Sequence, residues 1–247
     1  MSPVEPPVED LFSGAAVQGP DTFEVGKRFL QFAILRIPRV LDRTLTHLMF
    51  PPRKDIYDFD ALHGTDTGKI IKVYRLDSVS SAYVHSHGYE ACDIRRLSRD
   101  LMVPPIDRGG YEFIDLGCGK GRALIYAAEQ GFGKVTGVEI SPTLAAITRK
   151  NLGICGVEGE VIAGDAGSFV IPDNPCVIYL NDPFGKPVMK QVVSNVQKRL
   201  RRSVADLWVI YRSPVYPRLF ELCPGLDTLE LASDTAFFRS RVSAATV

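Results

Sequence analysis

The stretch YEFIDLGCGKGRALIYAAEQGFGKVTGVE, residues 111–139, decides the fold. Phe113-Ile114-Asp115-Leu116 reads as a buried strand. Glycines follow at alternate positions, Gly117, Gly119 and Gly121, and then an apolar helical stretch from about Ala123 to Gln130. A second strand, Val135 to Val138, ends on Glu139. Strand, glycine turn, helix, strand and closing acid is how an α/β sheet holds a nucleoside. The glycines let the chain turn sharply and approach a ligand with no side chain in the way. The helix aims its N-terminal amides at the same place, which suits a carboxylate or a phosphate. Glu139 follows Asp115 by 24 positions, near the ~20-residue spacing of an acid that accepts from ribose hydroxyls. The pyrophosphate fingerprint G-x-G-x-x-G does not fit, because position 122 is Arg122 and the third glycine falls at 121.

Asp115-Leu116-Gly117-Cys118-Gly119-Lys120-Gly121, followed by Gly137-Val138-Glu139, resembles the first motif and following acid of class I methyltransferases that use S-adenosylmethionine. The run FIDLGCGKGRALIYAA with GVEIS is similar to a bacterial group of these enzymes, marked also by G-T-D-T and N-D-P-F-G segments. It is more loosely similar to protein-lysine methyltransferases that do not use the SET fold. The resemblance spans about residues 60–242 and is strongest over 111–185. It implies a doubly wound, mostly parallel seven-stranded sheet with one antiparallel hairpin at its end, preceded by a helical extension. It also implies that Asp115, Gly117, Gly119 and Gly121 hold the methionine end of S-adenosylmethionine and that Glu139 holds its ribose. The alternative is a nucleoside-binding or degenerate domain of the same fold without transfer, a scaffold docking to a partner or membrane.

Downstream, Ser141-Pro142 is a helix start, with serine as N-cap and proline at the first helical position. Glu160–Ala163 reads as a strand, followed by Gly164-Asp165. In the family an acid here bonds the adenine amino group, and Asp165 matches; a turn or N-cap acid is the other reading. Cys176 to Leu180 is a fourth strand that delivers Asn181-Asp182-Pro183-Phe184-Gly185 at its carboxyl end, where open α/β sheets bind ligands. This loop resembles the acceptor motif of amino-group methyltransferases. Asp182 and Asn181 would accept from the target N–H, and Phe184 would cover the acceptor. The second proline of the nucleic-acid enzymes is missing, which counts against an adenine or cytosine target and toward a protein or small-molecule amine, with nucleic acid kept as the alternative acceptor. The alternative is a plain strand-end turn. Lys198, Arg199, Arg201 and Arg202 close a helix from Val188 to Leu200, as its dipole favours, without the interleaved aromatics of a nucleic-acid surface. A strand at Leu207 to Tyr211, a short helix at Val215 to Leu222 and strands at Leu226 to Leu231 and Phe237 to Val242 complete the reading.

Upstream, residues 1–24 carry acids and prolines without Lys or Arg and read as a flexible arm. Residues 27–54 are basic, with Phe29, Ala33, Ile37, Leu41, Leu45 and Met49 at helical spacing. Such a face packs on its own domain, or it meets an anionic membrane or a partner. Residues 25–105 are thus read as a helical extension and lid, and 106–247 as the cofactor-binding domain. His63-Gly64-Thr65-Asp66-Thr67-Gly68 is a turn cluster in which Asp66 either meets the cofactor ammonium or makes a local turn. A helix is expected from about Ala91 to Leu101, with Tyr89 and Glu90 just before it. His85 and His87 share a strand face but lack companion ligands for a metal. Lys plus Arg and Asp plus Glu each number 29, so the chain is no general trap for nucleic acid. The five cysteines form no C-x-x-C pair and read as reduced thiols of a cytoplasmic protein. No membrane span or secretory signal is evident.

Overall fold

Residues 54–71, 77, 88–231 and 234–241 are described by a computed structural model. All belong to one compact unit that begins at Arg53. The acidic arm, the basic face from Phe29 to Met49, and His85 with His87 lie outside the described residues.

Among the described residues, helix α1 (Lys54–His63) and helix α2 (Ile94–Asp100) precede the sheet. Strand β1 (Glu112–Leu116), α3 (Arg122–Glu129), β2 (Lys134–Glu139), α4 (Pro142–Ile154) and β3 (Glu160–Ala163) follow. Then come β4 (Cys176–Asn181), α5 (Lys186–Arg202), β5 (Leu207–Arg212), α6 (Pro217–Glu221), β6 (Leu226–Leu231) and β7 (Thr235–Ser240). The strands form one sheet in the order β3-β2-β1-β4-β5-β7-β6. The first five run parallel, and β7 runs antiparallel to both β5 and β6. The expected doubly wound sheet with a terminal hairpin is therefore present. Strand order reverses between β1 and β4, which opens a crevice at the carboxyl ends of these strands.

Strands β1 and β5 are buried along their whole length, charged Glu112, Asp115 and Arg212 included, and β4 up to its last residue, as in a sheet covered on both faces. Alternation assigns the faces. Phe113, Val177, Tyr179, Trp208 and Ile210 pack with Leu97, Leu124, Ile125 and Leu152 of α2, α3 and α4. Ile114, Ile178, Leu180, Val209 and Tyr211 pack with Met189, Val192, Val196 and Phe220 of α5 and α6. Ser141 caps α4, its Oγ accepting from Leu144 N at 3.2 Å, with Pro142 at the first turn as expected.

Two departures have local causes. β7 ends at Ser240 because its pairing with β5 starts early, at Arg212↔Thr235. α1 gave no periodic signal, and its end is a stop built by His63 and Gly64: Gly64 is left-handed at φ 70, and its amide donates to Asp60 O at 2.8 Å. At the end of α5, Lys198 and Arg201 are exposed, but Arg199 is buried and donates to the carbonyls of Pro172, Asn174 and Ala205. All five cysteines are free thiols. Among the described residues no helix is long and apolar enough to cross a membrane.

Candidate active site

The turn after β1 is tied to β2 by its backbone. Gly117 N and Cys118 N both donate to Val138 O, at 2.8 and 3.1 Å. Gly117 (φ 88) and Gly119 (φ 56) are left-handed, where only glycine is free of strain. Each also allows a close approach. A Cβ on Gly117 would stand 2.8 Å from Pro183 Cβ, so the loop after β4 meets the glycine turn across the crevice. A Cβ on Gly119 would stand 2.2 Å from the ring of Tyr89. Gly121 is the N-cap of α3.

The acids gather on the same side. Asp115 is buried on β1; burial, and then the charge of Glu139, push its carboxyl up to about 8. Glu139, at the end of β2, accepts from Gly119 N at 2.9 Å and from Ser141 N at 3.0 Å. Burial raises its pKa, and these two amide bonds oppose the shift. Asp165 follows β3 and accepts from Gly167 N at 2.8 Å, capping a 3-10 turn at 166–168. It also edges a mostly apolar cleft formed by Val138, Ile140, Ala166, Phe184 and Val188. Asp66 does not make the local Asx turn considered from the sequence. Its carboxylate takes the buried Lys120 Nζ at 3.2 Å, and its backbone meets the Asn151 side chain.

At the far side of the crevice, Asn181 ends β4 and Asp182 leaves the sheet in left-handed backbone, φ 45. The Asp182 amide donates to Arg212 O at 3.2 Å. Phe184 is buried against the glycine turn.

Several contributors have partners that the sequence reading does not name. Asp60 of α1 accepts from the amides of Thr67 and Gly68 and from the hydroxyls of Thr65 and Thr67. Thr67 Oγ1 in turn accepts from Arg122 Nε at 2.7 Å, and Thr67 O accepts from the Tyr89 hydroxyl at 2.6 Å. Asp77 takes the hydroxyls of Ser141 and Thr143 at the start of α4. His63 bonds Glu129 at the end of α3, at 2.6 Å. The segment ahead of the sheet is thereby laced to both ends of α3 and to the start of α4. A carboxylate spaced five to eight residues before a Thr-x-Thr-Gly run was the available clue.

Residues 113–203 match the family model described as a methyltransferase domain. Residues 113–203 are thus a methyltransferase domain. Its enzymatic activity is methyl transfer, and S-adenosylmethionine is its cofactor. Among solved structures, a putative methyltransferase, YhhF, from Escherichia coli shares the fold at TM-score 0.51 and 13% identity, over 70% of this chain and 98% of that one. A TehB-like SAM-dependent methyltransferase from Corynebacterium glutamicum gives 0.44 and 18%, over 61% and 89%. The T. thermophilus 16S rRNA N2 G1207 methyltransferase, bound to AdoMet and guanosine, gives 0.44 and 22%, over 59% and 41%. No curated protein sequence matches the chain.

The residues of the methyltransferase domain fit this cofactor. Glu139 stands at the end of β2, where it can accept from a ribose, and Asp165 edges the cleft with Val138, Ile140 and Phe184, where a base would lie. A cationic ammonium beside Asp115 would offset the cost of ionising a carboxyl buried this deeply.

Proposed function

We propose that this domain transfers the methyl group to an amine nitrogen, of a protein side chain of the lysine type or of a small molecule. The observation that carries this reading is the 181–185 loop: a carboxylate in left-handed backbone, followed by Pro183 packed on Gly117 and by the buried Phe184. In this reading Asp115, Gly117, Gly119 and Gly121 hold the methionine end, Glu139 accepts from the ribose, and Asp165 faces the adenine from the edge of the apolar cleft. Asp66, engaged by Lys120, secures the segment ahead of the sheet.

When bound, S-adenosylmethionine supplies a methyl group already activated by positive sulfur. The protein therefore has little acid–base work to do, and alignment carries much of the rate. Asp182 and Asn181 accept from the acceptor N–H and aim its lone pair. Pro183 stiffens the loop, and Phe184 keeps water from the acceptor side.

The test is incubation of the full chain with methyl-labelled cofactor and separate protein, small-amine and RNA fractions of a cell extract. Label on nitrogen in the protein or amine fraction, lost in Asp182→Ala with S-adenosylhomocysteine affinity unchanged, is the expected result. Label confined to RNA, or transfer that survives Asp182→Ala, overturns the reading.

A further inference from the structure

We propose that Arg212 and Asp100 are a positioning pair for the acceptor loop: together they hold the backbone from which Asp182 leaves the sheet. The proposal rests on the acceptor reading above.

Arg212 is the last residue of β5 and is 4% exposed. Its guanidinium donates twice to one carboxylate, Nε to Asp100 Oδ2 at 2.7 Å and Nη2 to Asp100 Oδ1 at 3.0 Å. Asp100 ends α2, is itself buried, and also accepts from Thr235 Oγ1 at 3.2 Å. The third guanidinium nitrogen reaches Asp234 Oδ2 at 3.3 Å. A fork fixed at two points to one carboxylate cannot swing, so the Cα that bears it is held in place.

That Cα governs the acceptor loop through its own peptide. Asn181 and Arg212 are register partners at the ends of β4 and β5, and Arg212 O accepts the Asp182 amide. The next residue, Ser213, is left-handed at φ 48, and its amide donates to Asp234 O at 2.8 Å. Two neighbouring strands thus leave the sheet through left-handed residues that are not glycine, with the same arginine at the base of both. Such backbone persists only where its surroundings over-determine it. Stability alone does not account for the charges, since a buried ion pair is commonly matched or bettered by an apolar pair of similar volume.

The experiment uses the full chain, with the variants Arg212→Lys and the double Asp100→Asn/Arg212→Met, which removes both charges so that neither is left alone in the core. Hydrogen exchange is read over residues 180–185 and, as control, 112–116. Calorimetry gives S-adenosylhomocysteine affinity, and poly-L-lysine is the amine probe for labelled transfer. In the double variant, exchange over 180–185 speeds up about tenfold while 112–116 and cofactor affinity hold steady. Transfer falls roughly 100-fold, mainly in kcat, because a misplaced orienting group costs alignment rather than binding. Arg212→Lys, which keeps one charge without the fork, lies between. Unchanged exchange over 180–185 overturns the proposal, and so does a general loss of protection and cofactor binding, which would mark the pair as ordinary core. A wild-type chain that methylates no amine would strike the acceptor reading instead, while the exchange result still judges the pair.

Discussion

The turn after β1 takes left-handed backbone at glycines, where no Cβ resists it; the loop after β4 takes it at Asp182, where a Cβ does. The first is held by bonds to its neighbouring strand, from Gly117 N and Cys118 N to Val138 O. The second is held by Arg212, whose own anchor, Asp100, lies 112 positions earlier in the chain. The glycine turn, proposed to meet the cofactor, has geometry that a short run of residues can encode. The loop proposed to meet the acceptor depends on elements brought together from both ends of the domain. In the proposed reading the strain sits where a side chain is to be aimed, and the relaxed backbone where a ligand is only to fit.

The sharpest way to break this contrast is to exchange the two chemistries. Gly119→Ala places a Cβ in left-handed backbone, at roughly 1–2 kcal/mol, and drives it into the Tyr89 ring, where overpacking adds about 1–3 kcal/mol. A large fall in denaturant midpoint together with lost S-adenosylhomocysteine binding is expected. Asp182→Gly does the reverse, relieving the Cβ but loosening the unfolded chain. Unfolding free energy should stay within about 1 kcal/mol of wild type, while labelled transfer drops roughly 100-fold.

Asp60→Asn tests whether the segment ahead of the sheet belongs to the cofactor side. It weakens the bonds to Thr67 and Gly68 and should destabilise the domain by about 1–3 kcal/mol near neutral pH. Burial acts to raise the Asp60 pKa, but the hydrogen bonds from Thr67 and Thr65 outweigh it and hold the carboxyl below its ordinary value. Its contribution is therefore present above the unfolded carboxylate pKa and lost as pH falls through the folded one. The gap between wild type and variant should close in acid, as read by urea titrations across pH.

The smallest effect is a proton. Asp115 is pushed up to about 8, so its contribution to stability is full below the unfolded carboxylate pKa of ~3.9 and is lost as pH rises through about 8. A cofactor ammonium bound beside Asp115, as proposed, would draw that pKa back down. Calorimetry of S-adenosylhomocysteine near neutral pH, in buffers of different protonation heat, should show proton release that Asp115→Asn abolishes.

Legibility in the sequence followed the range of the interactions. β3 and β6 were read with the bounds they have, and β1, α3 and β2 to within a residue or so, because apolar runs, glycines and the Ser141 cap act within a few positions. The α1 helix was missed because its short apolar face repeats too few times to show a period. The Thr-Asp-Thr-Gly turn lets Asp66 meet a cofactor or make a local turn, and neither names Lys120, 54 positions away. The end of β7 was placed too late because an edge hairpin takes its register from its partners.

What the sequence by itself determined is the sheet, the glycine turn and the identity of the acids at the strand ends, because strand burial and left-handed turns are properties of adjacent residues. What only the tertiary structure decided is which polar groups face which: Asp60 under Thr67, Tyr89 on Gly119, Arg212 on Asp100. Those pairings exist only after packing has excluded water from the groups, and that exclusion makes each partner obligatory.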